Sequence, residues 1–223
     1  MSKKFKKLAA LILTVVMVFG VMSISAYASA TDPEVTVYVT TNMFETGGYD
    51  DVNHCPVIQT FKKTESPSNH LMTGYTPITV KVSDLTTYGL SSIRSYYNSS
   101  FTGNANVLDA IIYALIGKGQ TVYCGWDSFT SPNGGYINSF YNDGIPAYND
   151  PAYNVPKVEG GTTVYYTIYS GTGLKVACTQ EFEDEDEETY YALDEISEYA
   201  TRYELTDGMD IVIDLSPYVI YYR

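Results

Sequence analysis

The stretch NANVLDAIIYALIGKG, residues 104–119, is the strongest helical pattern in a chain otherwise written in strands. Val107, Leu108, Ile111, Ile112 and Leu115 recur at three- and four-residue spacing, which places them on one stripe of a helix. Asn106 is suited to the N-cap, Asp109 to the first turn and Gly117 to the end. The surroundings alternate instead. VTVYVT sets Val35, Val37 and Val39 against Thr36, Tyr38 and Thr40, and PITVKVS sets Ile78, Val80 and Val82 against Thr79 and Lys81. TTVYYTIYS sets Val164, Tyr166 and Ile168 against Tyr165, Thr167 and Tyr169. DIVIDL turns Ile211, Ile213 and Leu215 one way, and YVIYY follows it. Strands with one apolar face build a mixed or antiparallel sheet that needs a cover. One amphipathic helix supplies it, so an α+β layer of sheet on helix is predicted.

A second helix is predicted further on. Tyr190, Leu193, Ile196, Ala200 and Tyr203 fall at helical spacing, with Asp194, Glu195 and Glu198 turned to water. The preceding EFEDEDEE would lie near its positive N-terminal end. Two segments carry no period. Residues 42–76 are rich in Gly, Asn, Asp, Ser and Pro around a short apolar run, PVIQTF. Residues 141–161 read as a long loop rich in Pro, Asn and Tyr.

The first 30 residues have the form of an export signal: Lys3, Lys4, Lys6 and Lys7, an apolar run from Leu8 to Ile24, then SAYASA. Cleavage after Ala28 or after Ala30 fits equally. Export of a released or surface-associated protein is therefore expected. Without the leader, nine basic residues face 26 acidic ones, a formal charge of −17. That excess argues against nucleic acid, whose binding is driven by neutralising phosphates, and against an anionic membrane surface. About 190 residues remain, enough for one domain with a real core. Cys124 and Cys178 each share a strand face with apolar residues and read as core; one disulfide is permitted among three cysteines, with no pair favoured.

From residue 77 onward the order of motifs is specific. ITVKV is followed by NVLDAIIYAL, then GGYINSFYNDG, then TTVYYTIYSG, then YELTDGMDIVID. The order resembles the transcobalamin-like C-terminal domain family, through Val107, Leu108, Asp109 and Ala110, then Gly135, Tyr136, Ile137, Ser139 and Gly144, then Asp207, Gly208 and Asp210. The resemblance implies a β-grasp-like mixed sheet on one main helix over residues 77–223, preceded by an N-terminal extension over 31–76. It also implies a binding role in which a corrinoid is one ligand. The chain departs from the pattern with Tyr165 and Tyr166 in place of Trp, Ser170 and Gly171 in place of Asn-Gly, and an acidic insertion over 179–204.

Catalytic patterns are poor. Cys124 lies mid-strand in an acidic protein, with His54 and His70 far upstream, and a nucleophilic cysteine needs a positioned base and a positive setting. Most carboxylates sit in one run, not as an opposed pair. Asp184, Asp186, Glu188 and Glu195 follow a calcium-loop spacing, but Thr189 stands where that loop needs glycine. No catalytic residue, metal site or cofactor is expected. The 23 tyrosines favour contact surfaces, because tyrosine supplies area at low entropic cost. Trp126, Tyr141, Tyr148 and Tyr153, near or in the long loop, are the candidate ligand contacts. The expected function is a non-enzymatic module binding a small molecule, such as a corrinoid, or a surface glycan. The alternative is an adhesive or structural surface protein with no small ligand.

Overall fold

Val35, Val37 and Val39 are fully buried, and the strand that carries them, β1 (Glu34–Thr41), is an interior strand of the main sheet. The computed structural model describes residues 32–127, 134–141, 148–184 and 187–223; the expected leader over 1–30 lies outside them. Pro33–Arg223 form one compact unit. Residues 33–76, within the segment expected as an extension, lie in this unit, and the alternating valines of β1 sit between β11 and β4.

β1 pairs in parallel with β11 (Asp210–Tyr222) and antiparallel with β4 (Ile78–Lys81). β11 in turn pairs with β9 (Thr162–Glu183), and β9 with β10 (Thr189–Glu195), both antiparallel. The order across the sheet is β10-β9-β11-β1-β4, a mixed sheet in an α+β protein. Two short strands, β7 (Tyr148–Asn149) and β8 (Tyr153–Glu159), pair with the first half of β9. Separate hairpins are made by β2 (Gly48–Asp50) with β3 (Cys55–Val57) and by β5 (Thr121–Asp127) with β6 (Gly134–Tyr141).

Among the described residues there are three helices: α1 (Val82–Tyr88), α2 (Leu90–Arg94) and α3 (Val107–Gly117). α3 is the predicted cover. Val107, Leu108, Ile111, Ile112 and Leu115 are wholly buried against β1, β4 and β11. Its N-terminus is capped as the sequence predicts, with Asn106 Oδ1 accepting from Asp109 N at 3.0 Å and Asp109 Oδ2 accepting from Asn106 N at 3.3 Å. Burying such aliphatic side chains contributes on the order of 2 kcal/mol each.

The other face of the sheet is also covered. Met43, Phe44 and Phe61 pack on Ala177 and Val212, with the Phe44 and Phe61 rings 5.0 Å apart. The segment that folds over this face is anchored by Asp214. Its buried carboxylate accepts from Thr40 Oγ1 at 2.7 Å, from Met43 N at 3.1 Å and from Ser216 Oγ.

The second predicted helix is not formed. Thr189–Glu195 is strand β10, followed by a single 3-10 turn at Ala200–Arg202. The exposed edge of β9 offers a ladder from Ala177 to Glu183, and a tight turn closes it: Glu188 N donates to Asp184 Oδ1 at 2.8 Å. Strand pairing satisfies the backbone of a segment rich in Tyr and Thr better than a short isolated helix does. The long loop expected over 141–161 is likewise corrected. Tyr153–Glu159 is an edge strand, where Pro156 is tolerated because no neighbour requires its missing N–H; residues 142–147 lie outside the described ones.

Candidate functional site: an apolar groove and a tyrosine face

β9 and β11 remain paired well past the helix-covered core, from Ile211↔Cys178 to Tyr222↔Thr167. The chain before β2 reaches the free edge of β11 there. Val219 N donates to Thr46 O at 2.8 Å, and Gln59 Nε2 donates to Pro217 O at 3.1 Å. Gly47 makes this approach possible: its φ is +80°, and a Cβ would stand 2.8 Å from Val219 O. The segment 56–59 is thereby held over the β9–β11 ribbon, with a groove of about 400 Å³ between them. Val57, Ile58, Tyr218 and Ile220 make apolar walls, and Lys175 supplies a charge. Gly173 lies beneath Tyr218: a Cβ there would meet the ring at 3.3 Å. The volume lies within the range of small-molecule sites.

The ribbon's two faces differ beyond the groove. Opposed residues of antiparallel strands share a face. Lys157, Glu159, Tyr166, Ile168 and Tyr221 share one, and the β2–β3 hairpin closes on it. The Tyr49 ring lies 5.7 Å from Tyr166 and 5.3 Å from Tyr221, with Lys157 Nζ 4.4 Å above it. The Tyr49 and Tyr166 hydroxyls both donate to Glu159 Oε1, at 3.0 and 2.5 Å. Desolvation and then the neighbouring Glu159 push the Tyr49 hydroxyl up to about 12. Glu159 is held below its ordinary value, first by the Tyr166 hydrogen bond and then by that of Tyr49.

The opposite face is open. Tyr165 is 68% exposed, Tyr222 68%, Tyr169 46%, Ile220 52% and Val158 59%, all on one side of β8, β9 and β11. Tyr222 lies opposite Thr167, between Tyr165 and Tyr169, and Ile220 lies opposite Tyr169. Ile220 belongs both to this face and to the groove, so the two surfaces are continuous.

Of the four residues expected from sequence, Trp126 and Tyr153 have described side chains, and neither lies on the open face. Trp126 packs on the main core, stacked on Tyr97 with centroids 6.1 Å apart and 5.9 Å from Phe101. Tyr153 is exposed on β8 but pairs opposite Ile168, on the other face from Tyr165. The backbones of Tyr141 and Tyr148 pair with Thr121 and Thr172; their side chains lie outside the described residues. The groove and the open face use Val57, Ile58, Tyr165, Tyr169, Ile220 and Tyr222 instead. One signal for them is in the sequence: TTVYYTIYS already places Tyr165 and Tyr169 together on its polar side.

The acidic calcium spacing does not produce a cage. Asp184 and Glu188 close the β9–β10 turn, whereas Glu195 lies at the far end of β10, about 20 Å along an extended strand. Asp186 lies outside the described residues. Among the described residues no group of three His, Cys, Asp or Glu side chains is placed to hold a metal ion. No helix among them is long and apolar enough to cross a membrane.

The three cysteines are unpaired. Burial pushes the thiols of Cys124 and Cys178 up to about 12, so each is almost entirely protonated at neutral pH. Cys55 is exposed. Native protein is therefore expected to release one equivalent of thionitrobenzoate rapidly from DTNB, at Cys55, and the other two only after denaturation. A fast second equivalent in the native state would contradict the buried placement.

Comparison with family models, with curated proteins and with solved structures finds no match.

Proposed function

We propose that this chain is an exported, non-enzymatic binding module of the β-grasp type, with the groove between residues 56–59 and the β9–β11 ribbon as its ligand seat. The groove carries the reading: about 400 Å³ with mainly apolar walls and a few polar groups, the composition of a small-molecule site. The strand order supports the fold type. Counting only β1, β4, β9, β10 and β11, the sheet runs second, first, last, third, fourth, with first and last parallel. A mixed sheet with α3 as cover is the kind of fold that the resemblance to the transcobalamin-like C-terminal domain implies, although β1 falls in the expected extension and β10 in the expected acidic insertion. Export rests on the charge, apolar core and small-residue exit of the leader. The ligand class is a corrinoid or other small molecule, or a surface glycan. The exposed tyrosines favour one alternative, an adhesive surface protein without a small ligand.

Thermal melting separates these readings. A ligand at one hundred times its Kd stabilises by about 2.7 kcal/mol, which raises Tm by roughly 5–10 °C in a domain of this size. Cyanocobalamin and neutral oligosaccharides are the first compounds to test. The expected result is a saturable rise with one class, abolished by Ile58→Glu, a change at a side chain 80% exposed. If no compound moves Tm while the protein adheres to cell walls, the groove has no such role and the adhesive reading replaces it.

A further inference from the structure

The face carrying Tyr165, Tyr222 and Tyr169 differs in charge from the rest of the molecule. Its positions on three strands are Asn154, Pro156 and Val158, then Thr163, Tyr165, Thr167 and Tyr169, then Ile220 and Tyr222. None is ionisable near neutral pH, in a chain with 26 acidic and 13 basic residues. The reverse side of the same strands carries Lys157 and Glu159. A cationic partner would be drawn to the β9–β10 hairpin, where Glu181, Glu183, Asp184, Glu187 and Glu188 are exposed. The tyrosine face is matched to a partner without charge.

The dimensions restrict the partner further. Three strands about 4.8 Å apart and seven residues long present roughly 300 Å². A stable protein interface needs about 800 Å² on each side. The face is too small for that and suits a narrow chain. Along β9, Tyr165 and Tyr169 lie about 13 Å apart, with Tyr222 midway on the adjacent strand. The three rings form a zigzag longer than one sugar unit. An aromatic face is electron-rich and attracts the C–H hydrogens that a flat pyranose turns outward. The tyrosine hydroxyls and Thr163 offer neutral donors and acceptors for the sugar's hydroxyls, and Asn154, whose Oδ1 accepts from Thr167 Oγ1 at 3.0 Å, keeps its amide protons.

We propose that Tyr165, Tyr222 and Tyr169 form a platform for a linear, uncharged glycan with exposed pyranose faces, one end of which enters the groove at Ile220. The proposal rests on the binding-module reading and gives it a ligand class. The glycan runs along the strands, stacking on successive rings, and the groove receives its terminal unit. The tyrosines act by ring area, so removing the ring matters more than removing the hydroxyl.

Calorimetry with cellohexaose and chitohexaose, on the folded chain, tests this. At least one is expected to bind with a Kd unchanged within about twofold between about 0.05 and 0.5 M NaCl, since no charge pair is screened. Tyr169→Ala and Tyr222→Ala are each expected to weaken binding about tenfold, and Tyr169→Phe and Tyr222→Phe less than threefold. Both tyrosines are exposed, and unchanged circular dichroism spectra would verify folding. No binding of either hexasaccharide, binding that survives the double alanine variant, or a steep loss with salt would each overturn the platform. If hexasaccharide binding is absent but cyanocobalamin still raises Tm through the groove, the platform fails and the binding module stands. If neither binds, both fail.

Discussion

Asp109→Ala is expected to destabilise the protein by about 3–5 kcal/mol, a drop in Tm of roughly 10–15 °C. The carboxylate is fully buried and serves two structures at once. As part of the α3 capping box it accepts from Asn106 N. It also holds the Arg94 guanidinium, with Nη2 3.0 Å and Nε 3.3 Å from Oδ2, and it accepts from the Tyr97 hydroxyl at 2.8 Å. Arg94 is itself 5% exposed and donates onward to Asn104 O at 2.8 Å and Phe101 O at 3.3 Å. Removing the acid leaves a buried cation with two carbonyls and the Phe101 ring but no counter-charge, and that uncompensated charge dominates the cost. The double variant Arg94→Met, Asp109→Leu removes both charges, and most of the lost stability is expected to return. Urea unfolding measures both. A loss below 1 kcal/mol for the single variant would mean that Arg94 reaches water.

Asp214→Ala is expected to cost roughly 2–4 kcal/mol, with a different local signature. Its carboxylate ties the turn after β1 to the sheet through Thr40, Met43 N and Ser216, and Ser216 Oγ accepts from Phe44 N at 3.3 Å. Three buried donors, Met43 N, Thr40 Oγ1 and Ser216 Oγ, lose their acceptor. Met43, Phe44 and Phe61 then lose their seat on Ala177 and Val212, and the segment leading to the groove wall at Val57 loosens with them. Hydrogen exchange is expected to quicken over residues 42–61 and to stay slow in α3. Uniform quickening would show that Asp214 supports the whole fold rather than this face. If the groove is the ligand seat, the same variant weakens ligand binding although Asp214 touches no ligand.

The two networks mark the limit of what pattern reading reaches. The stripe of α3, the Asn106 cap and the alternating rows of β1, β9 and β11 are local periodicities, and the structure keeps them. The sequence pattern places Asp109 in the first turn of α3, which is half its role; Arg94, fifteen positions earlier, bears no mark of its partner. Tyr190, Leu193, Ile196 and Ala200 do fit a helical period, but that spacing coexists with strand-forming residues, and the open edge of β9 decided the outcome. The groove was out of reach for another reason. Val57 and Ile58 stand within the segment 42–76, which carries no period, and their wall partners Tyr218 and Ile220 lie some 160 positions away. Only the tyrosine row was half visible: Tyr165 and Tyr169 share a face by alternation, whereas Tyr222 joins them through the register of β11.

The parallel neighbours β1 and β11 carry a mechanical consequence. A pull applied at Pro33 and Arg223 draws these strands past each other along their length, so the ladder from Thr36↔Asp210 to Thr41↔Leu215 is loaded in shear. Its bonds must then yield together rather than unzip one by one. A molecule tethered at one end and dragged at the other by flow would resist extension at the β1–β11 ladder, and the force would reach that ladder through the Ile220–Tyr222 end of β11.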